Sequence, residues 1–343
     1  MTLLRAALVG YGSAGRGIHG PLLRATGFEV PYVVTRDAER ARAAGKELGA
    51  RALADVGEVA TRAGEVDVAV VASPTAAHVA NALTLVEAGV PVVVDKPLGV
   101  DASSARRLVE LAAARRVPLT VFHNRRWDSE HRTLARVLED GRLGEVLRYE
   151  ARFERWRPTP KDRWRERLPA AEGGGLLLDL GSHLVDGALT LFGPAVAVYA
   201  ETAAVTTVGE DVVFLALTHA SGVRSHLGAT TLAGHPGPRA RVLGTAGAYL
   251  VQDVDGEATA YGGWTDEAGT RGWLVTGDER TAVPRVPGEW GSFYRELADA
   301  LRGEGGLPVA ARDALAVMEV LDAAQRSAAS GDVVRPVAPG GRS

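Results

Sequence analysis

The chain has 343 residues, 46% hydrophobic and 24% charged, with a formal net charge of −3. That length fits two domains rather than one, and the composition is that of a globular chain with ample core. The charge gives no basic excess for nucleic acid or a membrane surface, and the absence of cysteine excludes disulfides and thiolate metal sites. No apolar run is long enough to span a bilayer. The apolar start, Leu3 to Val9, is short and leads straight into glycines, so it reads as a first strand rather than a signal peptide, and a cytoplasmic location is the default.

The first strand covers 4–9, and Gly10-Tyr11-Gly12-Ser13-Ala14-Gly15 follows at once. This is G-x-G-x-x-G between a strand and a helical segment. The first glycine permits a tight turn, the second lets the backbone approach a pyrophosphate, and the third allows close helix–strand packing. All six residues are assigned to dinucleotide binding. A second strand, 28–34, leads to the place where NAD-type sites carry a ribose-binding acid. Here Thr35 stands there, with Arg36 next and Arg40 one helical turn on. A carboxylate repels a 2′-phosphate, whereas guanidinium groups accept one. The expected cofactor is therefore NADP, with NAD still possible.

A helix over 38–49 and an apolar strand over 66–72 come next. Ser73-Pro74-Thr75 breaks that strand, and His78 opens the helix 77–88. A loop at the carboxyl end of a parallel strand belongs under the ribose and nicotinamide. Val92-Val93-Val94 then delivers Asp95, Lys96 and Pro97 to the end of the next strand, and proline stops it there. A lysine at such a point is either a surface charge or a catalytic group. Helix 102–116 and strand 118–122 complete a doubly wound parallel sheet.

The polar cluster His123-Asn124-Arg125-Arg126-Trp127-Asp128 marks the domain border. The domains are placed at 1–123 and 124–335, with 336–343 a flexible tail. After helix 129–140 the period changes to two from residue 146: Arg148, Glu150, Arg152 and Glu154 alternate with Tyr149, Ala151 and Phe153. Further strands are expected at 196–204, 211–219, 223–231, 239–244 and 248–253. They form an open, mostly antiparallel sheet with helices on one side, so the fold class is α/β plus α+β. The other face needs a cover, and an identical subunit is the usual one, as a homodimer or homotetramer. Helices 291–302 and 311–329 close the chain.

The glycines 173–175 precede Asp179, His183 and Asp186, which share one face if the segment is helical. Histidine suits general acid–base work and a neighbouring carboxylate orients it; a plain His–Asp hydrogen bond on a helix is the alternative. The charged run 161–167, with Trp164 and Arg165, is either a solvated loop or a lid over substrate. The remaining histidines lack ligand-like spacing, and no metal is expected.

Taken in order, the glycine loop, Ser73-Pro74-Thr75 with His78, Asp95-Lys96-Pro97, and Asp179-Leu180-Gly181-Ser182-His183 resemble the Gfo/Idh/MocA oxidoreductases over nearly the whole chain. The segments at 124–128 and 162–166 are similar to a branch that contains NADP-dependent scyllo-inositol dehydrogenases. The resemblance implies a Rossmann domain and a C-terminal domain whose open sheet mediates oligomerisation. It implies hydride transfer between nicotinamide and a secondary alcohol of a polyol or sugar, with Lys96, Asp179 and His183 catalytic. Asp95 replaces the usual glutamate. Ser73, Pro74, Thr75, His78, Asp95, Lys96, Pro97 and Asn124 fall to the cofactor, and Lys96, Arg125, Trp127, Trp164, Arg165, Asp179 and His183 to the substrate. The rival readings are a non-redox enzyme with transient internal NAD reduction and a non-catalytic NADP sensor.

Overall fold

The computed structural model describes residues 3–252 and 269–337. The chain divides at Asn124/Arg125 into two compact units; Trp290–Met318 groups with the first, and the chain from Glu319 with the second.

The first unit is built on a six-stranded parallel sheet. Its strands are β1 (Leu4–Val9), β2 (Phe28–Val34), β3 (Arg51–Leu53), β4 (Val68–Val71), β5 (Val92–Asp95) and β6 (Leu119–Phe122), in the order β3-β2-β1-β4-β5-β6. Helices α1 (Gly20–Ala25), α2 (Ala38–Leu48), α3 (Val56–Ala60), α4 (His78–Glu87) and α5 (Ala102–Arg115) alternate with them. The strands are valine-rich because such a sheet is covered on both faces, and Val68 to Val71 and Val92 to Val94 are buried. Each buried valine contributes about 1.5–3 kcal/mol. The short edge strand β3 was not expected from the sequence: three residues carry too little pattern to read.

The strand order turns back between β1 and β4, so the loops after these two strands flank the topological switch point, where ligands of such sheets bind. The segment Trp290–Met318, read from the sequence as part of the second domain, closes this unit. Its helix α9 (Gly291–Arg302, numbered in chain order with those below) buries Phe293 and Tyr294 against Phe122, and Tyr294 also against Phe28.

The second unit holds an eight-stranded sheet. Its strands are β7 (Val146–Glu154), β8 (Ala195–Ala203), β9 (Val212–His219), β10 (Arg224–Thr230), β11 (Ala240–Gly244), β12 (Gly247–Val251), β13 (Thr270–Thr276) and β14 (Glu279–Pro284), ordered β14-β13-β12-β11-β7-β10-β9-β8. Every pairing is antiparallel except β7 with β10. Strands β13 and β14 were not anticipated. Residue 253 of the expected strand 248–253 and residues 338–343 of the expected tail lie outside the described residues.

Helices α6 (Ser129–Glu139), α7 (Trp164–Arg167), α8 (Ser182–Phe192) and α10 (Ala311–Ser330) complete the chain. Tyr149, Ala151 and Phe153 of β7 are buried, with Tyr149 against Phe192 of α8. On the other face Glu150 is buried and its carboxylate is gripped by the guanidinium groups of Arg152 and Arg241.

Candidate active site

In the first unit the glycine loop is shaped by steric necessity at two of its three glycines. Gly10 has φ +104, and a Cβ there would lie 2.6 Å from the Ala72 carbonyl oxygen. A Cβ on Gly15 would collide with the Gly10 carbonyl oxygen. Gly12 is different: a Cβ there meets nothing within 4 Å. Its backbone borders open space, which is what a pyrophosphate lying against it requires, so the loop fits the dinucleotide. Ser13 is exposed and Ala14 half-buried. Tyr11 turns inward instead. Its hydroxyl donates to Glu47 at 2.8 Å, and burial with that contact pushes its pKa up to about 12. The helix after the loop starts as a π-turn, Gly15–His19, before α1.

At the end of β2, Thr35 is half-buried while Arg36 and Arg40 are exposed. Asp37, which sequence reasoning passed over, is the cap of α2: its carboxylate accepts the Glu39 and Arg40 N–H groups, which hold its pKa down. That carboxylate is engaged with backbone donors and lies near the charges of Arg40 and Arg42, while the Asp37 N–H donates to Thr35 Oγ1 at 3.3 Å.

His78 is buried with Nε2 2.8 Å from the Ser73 carbonyl oxygen and Nδ1 2.8 Å from that of Pro97. It therefore clamps the turn after β4 to the turn after β5. Burial pushes its pKa down, while two acceptors favour a ring with both protons. Thr75 is buried, and Ser73 Oγ accepts from Asn81 at 3.1 Å. Asn124 is buried. At the end of β5, Asp95 Oδ1 accepts the Lys96 N–H at 2.8 Å, and Oδ2 lies 3.7 Å from His19 Nε2. Burial alone would raise the Asp95 pKa, but the neighbouring His19, Lys96 and His78 outweigh it and hold it at about 2. Lys96 is half-buried, and its peptide to Pro97 is cis.

In the second unit Asp179 lies in a π-turn, Leu177–Gly181, and His183 in the first turn of α8. The Arg165 guanidinium stacks over the Trp164 ring at 4.5 Å and pairs with Asp179 at 3.5 Å. Trp164, Arg165 and Asp179 are thus brought together. Asp179 lines a pocket with Arg157, Lys161, Arg163 and Glu210. His183 lines a second pocket with Arg125, Arg126, Tyr149 and Arg239. The Phe153 ring, 6.4 Å from the His183 ring, lies under the guanidinium groups of both Arg125 (4.7 Å) and Arg239 (3.9 Å). Arg125 also pairs with Asp128 at 2.8 Å. Asp186, on the same helix, is buried and accepts three bonds from the Arg126 guanidinium, so its charge is spent on structure. Trp127 is buried, and its carbonyl accepts the Glu289 N–H at 2.9 Å.

With this geometry in place, comparison with known proteins decides the family. Residues 4–123 match the model of the oxidoreductase family with an NAD-binding Rossmann fold, and residues 131–250 match the GFO/IDH/MocA C-terminal domain. The chain belongs to the Gfo/Idh/MocA oxidoreductase family. It is 35% identical to the uncharacterized oxidoreductase YdgJ of Escherichia coli (strain K12), over 95% of this chain and 96% of that one. It is 29% identical to the scyllo-inositol 2-dehydrogenase (NADP(+)) IolW of Bacillus subtilis (strain 168), over 94% and 93%. The solved YPO2259 oxidoreductase of Yersinia pestis superposes with a TM-score of 0.85 at 32% identity, each chain covered to 98%.

In this Gfo/Idh/MocA member several residues near the site had no readable signal. Glu210 lines the Asp179 pocket and accepts the Leu177 N–H at 3.0 Å, and burial pushes its pKa up. It explains one of the three glycines: a Cβ on Gly175 would overlap the Glu210 carboxylate. Arg239 comes from β10–β11 chain far from Phe153 in sequence, and no local pattern pairs the two.

Proposed function

We propose that the protein is an NADP-preferring dehydrogenase or reductase that interconverts a secondary alcohol of a polyol or sugar, inositol-like in class, and its ketone. The observation that carries this reading is the glycine loop whose only open glycine is Gly12, in the same unit as a lysine at the carboxyl end of β5. The nicotinamide cofactor, when bound, supplies hydride acceptance and donation at its ring. Gly10 to Gly15 hold the diphosphate, and Thr35, Arg36 and Arg40 receive the 2′-phosphate. Ser73, Pro74, Thr75, His78, Asp95, Lys96, Pro97 and Asn124 frame the ribose and nicotinamide.

Lys96 donates a hydrogen bond to the reacting oxygen and stabilises alkoxide character. His183 takes the hydroxyl proton in oxidation and returns it in reduction. Asp179, oriented by Arg165, accepts a hydrogen bond from a second substrate hydroxyl. Arg125, Trp127, Trp164 and Arg165 complete the substrate set, Trp127 as a buried support. The relative IolW, named for scyllo-inositol and NADP(+), supports the substrate class and cofactor.

The first unit, with Trp290–Met318 closing it, acts as the cofactor domain, and the second unit as the substrate and oligomerisation domain. The protein works in the cytoplasm as a homodimer or homotetramer joined through the eight-stranded sheet. Among the described residues no helix is long and apolar enough to cross a membrane. The test is an absorbance screen at 340 nm of inositols, keto-inositols and sugars, with NADP and NAD in parallel. Turnover of at least one polyol with NADP is expected. Silence across the panel with both cofactors sinks the reading.

A further inference from the structure

The buried His19 has no place in the roles above. It ends the π-turn that follows the glycine loop, and it is fully buried. Its Nδ1 lies 2.6 Å from the Tyr294 hydroxyl of α9, and its Nε2 faces Asp95 Oδ2 at 3.7 Å. The ring packs 4.6 Å from Phe122, at the end of β6. Four separate stretches of the first unit therefore meet on one imidazole. A carboxylate can only accept, so the tautomer that suits this geometry carries its proton on Nε2, facing Asp95 across a 3.7 Å charge contact longer than a hydrogen bond, and leaves Nδ1 to accept from the Tyr294 hydroxyl. The other oxygen of that carboxylate holds the Lys96 N–H.

We propose that His19, oriented by Tyr294, is a positioning residue for Lys96: it fixes the Asp95 carboxylate, which fixes the main chain that carries the lysine. This rests on the reading of Lys96 as the group that meets the reacting oxygen. The physical ground is that a carboxylate amid aromatic rings must be matched by donors, and only a matched carboxylate holds one orientation. Remove the imidazole and Asp95 turns toward whatever donor remains, carrying the Lys96 peptide with it. A ring that merely fills the core has no such effect.

The test exploits composition: Lys46, Lys96 and Lys161 are the only lysines in the chain. The protein is reductively methylated with ¹³C-formaldehyde, and the three dimethyl-lysine signals are followed by NMR in wild type, His19→Phe, Tyr294→Phe and His19→Gln. The Lys96 signal is expected to move in His19→Phe, and in the same direction but less in Tyr294→Phe. It returns toward wild type in His19→Gln, whose amide still donates. Lys46 and Lys161 stay in place. In turnover assays kcat should fall at least tenfold in His19→Phe while KM for NADP changes less than threefold.

A Lys96 signal that stays put in the folded variants overturns the proposal, as does a rise in KM for NADP with kcat unchanged. Should His19→Phe fail to fold, Tyr294→Phe carries both measurements. Because the NMR readout needs no substrate, it decides this inference even if the screen finds no polyol turned over.

Discussion

Lys96 and His183 are proposed to do different things to one oxygen, and their removal should be separable from cofactor binding. Lys96→Met removes the hydrogen bond to developing alkoxide, and His183→Ala removes the base. Each should lower kcat by about 10²–10⁴-fold, the range of a lost oxyanion donor or general base. NADPH binding, read by fluorescence quenching, should stay within a few-fold of wild type. Near-normal turnover in either variant removes that residue from the mechanism. Thr35→Asp places a carboxylate beside Arg36, where it repels a 2′-phosphate, and should swing the kcat/KM ratio toward NAD by at least tenfold. An unchanged ratio refutes the part given to Thr35.

Asp95 carries a pH signature of its own. The groups facing it are His19 from the π-turn, His78 from α4, Lys96 on its own strand end and Tyr294 from α9. Its folded pKa, about 2, lies below the ordinary 3.8. A depressed carboxyl contributes stability that is present above the unfolded pKa and is lost as pH falls through the folded one. The contribution is about 2 kcal/mol. The stability difference between wild type and Asp95→Asn, from urea unfolding, should therefore shrink by about that amount between pH 5 and pH 2. A difference flat across that window removes the charge from the account.

At the scale of the element, the glycine loop separates folding from binding. Gly15→Ala drives a methyl group into the Gly10 carbonyl, so it should destabilise the protein by several degrees in Tm and impair binding together. Gly12→Ala has room in the protein itself. It should leave Tm within about two degrees, because a surface methyl changes stability by only a few tenths of a kcal/mol, and yet raise KM for NADP at least tenfold. Equal effects on Tm and KM in both variants would show that the open side of Gly12 faces nothing that binds. The loop was legible because its spacing reports local backbone constraints. The π-turn after it was not, since a helix and a π-turn share the same short-range pattern.

For the whole molecule, the half-exposed face of the eight-stranded sheet, as it stands among the described residues, is the feature with consequences. Phe214 of β9 lies 6.0 Å from His226 of β10 on that face, beside Ala216 and Tyr199 in adjacent register, and none of these is fully buried. A second copy covering this face is the proposed arrangement. Light scattering should give a dimer or tetramer, and Phe214→Asp should shift it toward monomer at micromolar concentration. A monomeric wild type sinks the arrangement.

The sequence by itself determined five of the six strands of the parallel sheet, because apolar runs bounded by glycine and proline declare buried parallel strands without reference to anything distant; the three-residue edge strand β3 carried too little pattern to read. It also marked the glycine loop and the lysine at the end of β5, since both are punctuation of the local backbone. Only tertiary structure decided which charges are engaged. Asp186 is held by Arg126, sixty residues away, and Asp179 by Arg165 across the glycine triplet. His19, dismissed on spacing, meets Asp95 and Tyr294 because β5 and α9 converge on it from 76 and 275 positions along the chain. Such pairings are set by packing, and no periodicity in a sequence reports them.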